Sequence, residues 1–137
     1  MPSPLLLTKF YMPHLRAEHV WRPRLTRRLD EVLTRRLTLV CAPAGYGKTT
    51  LIAEWLAGRA VARGAGAAGH APGLRVAWLS LDAADSDPAR FLTYLIAALQ
   101  QVDPTIGRDI AAMSQGVPPP PPEALLTALI NDLVSLS

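Results

Sequence analysis

The stretch LTLVCAPAGYGKTT, residues 37–50, passes from an apolar run through a glycine-rich turn into a lysine and two threonines. The run before the turn, LTLVC, shows little polar alternation, which is typical of a strand buried on both faces of a parallel sheet. The residues after the turn carry apolar side chains at helical spacing. A strand, a glycine turn and an amphipathic helix in this order predict a loop that binds phosphate.

The turn matches the phosphate-loop pattern of a glycine, four free positions and Gly-Lys-[Ser/Thr], with one departure. Ala42 stands where the pattern has its first glycine, and its small side chain meets the same steric need. Gly45 and Gly47 let the main chain turn N–H groups onto an anion, and the next helix adds its positive N-terminal end. Lys48 is predicted to reach the β- and γ-phosphates, and the Thr49 hydroxyl to bind Mg²⁺. The predicted nucleotide-binding residues of the loop are Ala42, Pro43, Ala44, Gly45, Tyr46, Gly47, Lys48, Thr49 and Thr50.

The rest of the pattern predicts an α/β fold. Asp87 is expected to cap a helix that has Pro88 at its first position, and Gly58 is expected to end the helix after the phosphate loop. Strands that alternate with helices build a parallel sheet flanked by helices. The predicted strands cover residues 37–41 and 74–82, and the predicted helices cover about 24–36, 48–58, 88–100, 104–114 and the segment behind the five-proline run.

Composition limits the class of protein. With 137 residues, half of them hydrophobic, the chain suits one domain with a core. No apolar run approaches the roughly 18 to 20 residues of a membrane span, and without a small-residue cleavage site near the start we expect no secretory signal. The single cysteine, Cys41, fits a reducing cytoplasm and is expected to be buried in the first strand. The three histidines show no metal-ligand spacing.

The positive charge of the chain lies near its N terminus. Residues 1–40 contain eight basic and three acidic side chains, whereas the remainder contains six basic and eight acidic ones. A basic front could contact nucleic acid or nucleotide phosphates. The alternative is a solvated helix face, because the leucines of RLTRRLDEVLTRRL form one stripe and no aromatic side chains lie between the arginines.

Three segments together carry a family resemblance. LTLVCAPAGYGKTTLIAEWLA is followed by VAWLSLDAADSDPARFLTYLIAALQ, and the lead has a Val-x-Arg-Pro-x-Leu pattern that begins at Val20. This combination closely resembles the ATPase domain of the MalT-like large ATP-binding regulators of the LuxR type, which are signal-transducing P-loop ATPases with numerous domains. The resemblance covers nearly the whole chain apart from the Ala/Gly-rich stretch at 58–73.

The resemblance implies a transcriptional activator in which ATP, with Mg²⁺, acts as a conformational switch. In such proteins a C-terminal helix-turn-helix domain, absent from these residues, binds DNA, and ATP favours the self-associated form. Val20 and Arg22 match a segment that lines the nucleotide, which adds Arg22 to the predicted binding residues. Asp82 and Asp85 match acidic positions after the second strand, where helix capping is an equal alternative to a role beside magnesium.

One expected element is missing from the sequence. No apolar run followed by paired aspartates, the acidic Walker B element, occurs in the 137 residues. The prediction is therefore an incomplete doubly wound P-loop NTPase, the N-terminal part of an ATPase domain. Its lead segment and first helix would cover 1–36, and the start of the NTPase domain would cover 37–137. We expect no ATP turnover by this chain alone, since magnesium and the attacking water would lack their protein partners.

Two other functions stay open. A small P-loop kinase would need a catalytic acid and a basic lid, but Arg90 and Arg108 are the only basic residues after residue 82. A non-enzymatic interaction module would use the helix behind the proline run as an amphipathic dock. The apolar stripe of that helix is Leu125, Leu126, Leu129, Ile130 and Leu133.

Overall fold

The computed structural model describes residues 5–15, 20–62, 74–113 and 120–135. The predicted α/β fold is wrong: the described residues form α helices and short 3-10 turns, and none of them lies in a strand. The chain divides into two compact units. The first, here called the loop unit, is Met12–Arg75, and the second, the three-helix unit, combines Met1–Tyr11 with Val76–Ser137. The predicted boundary between residues 36 and 37 stays a prediction.

Both predicted strands, 37–41 and 74–82, are neither helical nor paired in a sheet. In the first of them Leu37 and Leu39 are 86% and 85% exposed, and Cys41 is exposed as well. An apolar run becomes a strand only when neighbouring strands take up its N–H and C=O groups. In the second run the Ser80 N–H donates to the Lys9 carbonyl at 2.9 Å, but no ladder of such bonds forms among the described residues. The expectation of a buried strand with a buried thiol is therefore wrong.

The loop unit contains two helices joined by a turn and an irregular segment. Helix α1 is Pro23–Leu29, a 3-10 turn follows at Asp30–Thr34, and helix α2 is Lys48–Ala62. The single helix predicted over 24–36 is therefore shorter, and of its leucine stripe only Leu29 is buried.

Helix α2 is longer than its predicted end at Gly58, since it continues to Ala62. A glycine inside a helix costs only about 1 kcal/mol relative to alanine, so packing can carry a helix past it. The indole N–H of Trp55 donates to Asp30 Oδ1 at 2.8 Å, and Arg59 pairs with the same oxygen at 2.8 Å. These two bonds fix α2 against the turn that ends α1.

The three-helix unit contains helices α3, Pro88–Gln100; α4, Arg108–Met113; and α5, Pro122–Ser135. The predicted cap is confirmed: the Asp87 side chain accepts from the Arg90 N–H, and Pro88 begins the helix. The predicted inward face of α3 is also confirmed, because its apolar side chains pack on a core formed by Leu92, Ile106, Ile110, Leu125 and Leu129.

The turn before α4 brings the main chain close to α3. Gly107 has a φ of +70°, and a Cβ there would lie 2.7 Å from Cγ2 of Ile96. Its N–H donates to Asp132 Oδ2 on α5 at 2.9 Å. Glycine is required here both by the left-handed backbone and by the close packing.

Several sequence features lie outside the described residues: positions 63–73 of the Ala/Gly-rich stretch, the first two prolines of the five-proline run, His19 and His70. In the described part of the chain, no helix is both long and apolar enough to cross a membrane.

Candidate functional site

The glycine-rich turn of residues 42–47 contains two glycines with a left-handed backbone. Gly45 and Gly47 have φ values of +84° and +75°, the left-handed region that other residues avoid. The Tyr46 N–H closes the turn by donating to the Pro43 carbonyl at 3.4 Å. Left-handed residues within such a turn direct main-chain N–H groups to one side and form a concavity for an anion.

Helix α2 begins immediately after this turn, at Lys48. Its first intrahelical bond runs from the Leu51 N–H to the Gly47 carbonyl at 2.9 Å. The N–H groups of a first helical turn have no partner within the helix, and they carry the positive end of the helix dipole. Thr49 and Thr50, both exposed, lie in this first turn. The structure thus places the predicted binding residues of the loop together at one helix start.

The Lys48 ammonium group is held by the loop itself. Its Nζ donates to the Ala42 carbonyl at 2.6 Å and to the Pro43 carbonyl at 3.0 Å. Carbonyl groups are dipoles without net charge, so these bonds orient the ammonium group but leave its full positive charge at the loop. Among the described residues, no carboxylate lies within ion-pair distance of this side chain.

Arg22, which precedes α1 in sequence, is brought to the same loop. Its NH1 group donates to the Tyr46 carbonyl at 3.0 Å. A Cβ at Gly47 would lie 3.8 Å from the guanidinium nitrogens, so the two groups are in van der Waals range. Val20, named with Arg22 from the sequence, is 72% exposed. Two cations, Lys48 and Arg22, therefore converge on one glycine turn.

An open cleft of about 730 Å³ lies beside these groups. One wall is the loop and the start of α2, and the other is formed by α1, the 3-10 turn and the irregular segment after it. The volume falls within the roughly 300–1,000 Å³ of small-molecule sites. Its lining contains four cationic side chains, one acidic side chain and several apolar ones, including Arg22, Arg28, Arg35 and Lys48, then Glu31, then Leu25, Val32, Leu37 and Leu39.

Asp82 and Asp85, the acidic positions noted in the sequence, cap a 3-10 turn at Ala83–Ser86. The Ala84 N–H donates to Asp82 at 2.8 Å, and the Asp82 N–H donates to Asp85 at 2.8 Å. Both carboxylates also bind the buried ammonium group of Lys9, and Arg90 Nε contacts Asp85 at 3.2 Å. The capping interpretation is the one the structure shows.

The pKa values in this cluster follow from its contacts. The hydrogen bond from Lys9, with help from the Asp82 N–H, lowers the pKa of Asp85 to about 2. The Lys9 bond lowers the pKa of Asp82 in the same way. Burial acts to lower the pKa of Lys9, but the bonds to Asp85 and Asp82 outweigh it and raise that pKa. The three groups stay charged together, which is the behaviour of a structural ion cluster.

Sequence reasoning overlooked two buried charged residues, Lys9 and Glu54. Each is 5% or less exposed. Glu54 accepts a hydrogen bond from the Arg22 N–H at 3.3 Å, and Lys9 also lies 4.6 Å from the ring centroid of Tyr94. Both stand in apolar runs, LIAEWLA and LLLTKFY. A single charge within an apolar face was the available signal, because such a residue must find a partner when it is buried.

Two further sequence predictions concern exposed surfaces. The arginines at 24, 27 and 28 are exposed on α1, as a solvated helix face predicts, whereas those at 35 and 36 are exposed beyond the end of the 3-10 turn. In α5, Leu126 and Ile130 of the apolar stripe remain 44% and 52% exposed, so the dock stays a prediction. The described residues contain no group of three His, Cys, Asp or Glu side chains that could hold a metal ion.

Comparison with known proteins identifies relatives of this chain. It is 43% identical over 98 residues to the HTH-type transcriptional regulator MalT of Cronobacter sakazakii (strain ATCC BAA-894), 71% of this chain and 9% of that protein. It is 43% identical over 96 residues to MalT of Serratia proteamaculans (strain 568), 70% of this chain and 9% of that protein. For MalT of Klebsiella pneumoniae (strain ATCC 700721 / MGH 78578) the identity is 42% over 98 residues, with the same 71% and 9% coverage. No family model matches the chain, and no solved structure matches it at a significant level.

These relatives define the class of protein first: the chain is related to transcriptional regulators of the helix-turn-helix type. More narrowly, these relatives are MalT proteins, and the similarity to them confirms the resemblance inferred from the motifs of the chain. The chain spans about 9% of the length of the curated relatives it matches.

Proposed function

We propose that this chain is an ATP-binding segment of a signal-responsive transcriptional regulator of the cytoplasm, in which ATP acts as a conformational switch. One observation carries the proposal: two left-handed glycines and two cations, Lys48 and Arg22, meet at the start of α2. The MalT relatives support the regulatory half of the proposal. Binding of DNA would belong to other parts of such a regulator.

The residues at the loop fit a nucleotide phosphate chemically. Main-chain N–H groups near Gly45 and Gly47, the Lys48 ammonium and the Arg22 guanidinium would hold the anion, since charge-assisted bonds are the strong ones. The Thr49 hydroxyl would bind Mg²⁺, which takes its other ligands from phosphate oxygens and water. Bound ATP carries several negative charges on its phosphates. These charges would stabilise an arrangement in which the loop and both cations contact the phosphates together.

The switch would act through the cations. Lys48 is held by the Ala42 and Pro43 carbonyls, and Arg22 by the Tyr46 carbonyl. A phosphate that draws Lys48 or Arg22 away from these carbonyls changes how the loop is tied to the segment before α1. A ligand shifts a conformational equilibrium only by its differential affinity for the two states. Self-association in the presence of ATP is the readout expected of such a switch.

Titration calorimetry tests the proposal with one variant and one control. Lys48→Ala is expected to weaken ATP binding at least tenfold, about 1.4 kcal/mol or more. Arg24→Ala removes a cation from the exposed face of α1, outside the cleft lining, and controls for general attraction of anions to a basic protein. Its ATP affinity should stay within about twofold. Equal ATP affinity of the wild type and Lys48→Ala would refute the proposal.

A further inference from the structure

Glu54 is a charged side chain buried within α2, two turns after the phosphate loop. It is 2% exposed and is one of the largest fully buried side chains of the described residues. Its neighbours in sequence, Ala53 and Trp55, are buried as well. Burying a carboxylate costs free energy unless it accepts hydrogen bonds. We therefore expect hydrogen-bond partners for Glu54.

One such partner is the main chain of Arg22. The Arg22 N–H donates to Glu54 Oε1 at 3.3 Å, across 32 residues of sequence. Arg22 is the N-cap residue of α1, with φ of −127° and ψ of 68°, and its side chain makes no capping bond there. The side chain reaches instead to the Tyr46 carbonyl at 3.0 Å.

Arg22 is thus held at both ends, by α2 through its N–H and by the glycine turn through its guanidinium. An arginine side chain has several rotatable bonds, so ordering it costs conformational entropy when the guanidinium binds an anion. Part of this cost is removed in advance when the backbone of Arg22 is already fixed. The Glu54 carboxylate is on the same rigid helix that begins with Lys48. Lys48 and the acceptor of the Arg22 N–H therefore belong to the same helix.

We propose that Glu54 is a positioning residue for anion binding at this loop: it fixes the backbone of Arg22 so that the guanidinium lies beside Gly47 as a second phosphate cation. The inference rests on the proposed function and adds to it a residue outside the loop pattern. Glu54 does not touch the phosphate and acts through Arg22.

The ligand-free test is amide hydrogen exchange at Arg22 in the full chain. The Arg22 N–H should be protected in the wild type and in Glu54→Gln, whose side-chain carbonyl keeps the acceptor. It should lose most of that protection in Glu54→Leu, which fills the space without an acceptor. Equal protection in Glu54→Leu and the wild type would overturn the proposal.

The second test is a double-mutant cycle for ATP affinity by titration calorimetry. Glu54→Leu should weaken ATP binding about tenfold, whereas Glu54→Gln should stay within about threefold of the wild type. In an Arg22→Ala background, Glu54→Leu should change the affinity by less than about twofold, because its effect passes through Arg22. A purely structural role predicts the same loss in both backgrounds, and that result would overturn the proposal.

Glu54→Asp keeps the proposal testable if the leucine variant does not fold. It retains the charge and withdraws the acceptor by one methylene, so both Arg22 protection and ATP affinity should fall, the latter about threefold; unchanged values would overturn the inference.

Failure of the proposed ATP-binding function would give a different result. A wild-type chain that binds no ATP, yet shows Arg22 protection that only Glu54→Leu and Glu54→Asp lose, refutes ATP binding and leaves the Glu54–Arg22 bond established.

Discussion

Two lysine-containing clusters, one in each unit, hold their basic side chains in opposite ways. In the three-helix unit, the Lys9 ammonium is buried and pairs with the carboxylates of Asp82 and Asp85. In the loop unit, Lys48 and Arg22 bond to main-chain carbonyls of the glycine turn. The charge of a cation paired with carboxylates is balanced by those carboxylates, whereas no opposite charge balances a cation that bonds only to carbonyls. Whether a lysine bonds to carboxylates or to neutral carbonyls therefore distinguishes the structural Lys9 from the candidate binding residue Lys48.

The units also differ in packing. The three-helix unit has a contiguous apolar core, with Ile110 and Leu129 at most 2% exposed. The loop unit keeps Leu37 and Leu39 almost fully exposed. Stability should therefore be concentrated in the three-helix unit and should be lower around the loop.

The largest effect is expected from core truncation on α5. Leu129→Ala should destabilise the chain by about 3 kcal/mol, since buried leucine truncations cost roughly 2–5 kcal/mol. The neighbouring Ile130 is 52% exposed, so Ile130→Ala is a matched control and should cost less than about 1 kcal/mol. Urea unfolding followed by circular dichroism measures both. Similar losses for the two variants would contradict the assigned core.

Glycine substitutions give the next effect, with opposite signs in the two units. Gly107→Ala should cost about 2 kcal/mol, because it combines a φ of +70° with a Cβ 2.7 Å from Ile96. Gly58→Ala, at an open helical position of α2, should stabilise by about 0.5–1 kcal/mol. Thermal unfolding of both variants checks the signs. A destabilised Gly58→Ala would mean that α2 does not continue past residue 58.

A smaller effect is expected within the glycine turn. Gly45→Ala should cost about 1 kcal/mol from its φ of +84° alone, since a Cβ there meets nothing within 4 Å. Asparagine tolerates this backbone better, so Gly45→Asn should lose less. Unfolding midpoints and ATP affinity of the two variants, measured together, separate backbone strain from loss of the binding surface. Equal midpoints for alanine and asparagine would argue against a left-handed residue 45.

The smallest expected effect is one of pH. The pKa of Asp85 is lowered to about 2 by the Lys9 bond, so its stabilisation is present above its ordinary value near 3.8 and is lost as the pH falls towards 2. The pKa of Lys9 is raised, so its stabilisation is present below about 10.5 and is lost as the pH rises through the raised value. The unfolding midpoint should therefore fall by a few degrees between pH 4 and 2.

Lys9→Met is the informative variant for this pH dependence, because it removes the group that lowers both aspartate pKa values. The acid-dependent part of the unfolding midpoint should shrink in Lys9→Met. Asp109→Asn removes an exposed carboxylate of α4 and serves as the control, with an acid profile like that of the wild type. If the pH dependence of the unfolding midpoint were unchanged in Lys9→Met, the ion cluster would not contribute to stability as predicted.

The predictions from sequence succeeded where the determinants are local. The cap at Asp87 with Pro88, the inward face of α3 and the conformational demand at Gly45 and Gly47 each depend on a few consecutive residues. The MalT-like relationship was likewise readable, because the motifs that carry it stand in the sequence itself. The predictions failed for the two strands, whose existence depends on partners distant along the chain.

The sequence by itself thus determined which loop can turn left-handed, which residues begin the helices and which regulators the chain resembles. Only the tertiary structure decided that the apolar runs at 37–41 and 74–82 form no strands, that Lys9 is buried against Asp82 and Asp85, and that Glu54 accepts from the Arg22 N–H. Backbone dihedrals and caps are set by neighbours in sequence, whereas strand pairing and buried charges depend on groups that only folding brings together.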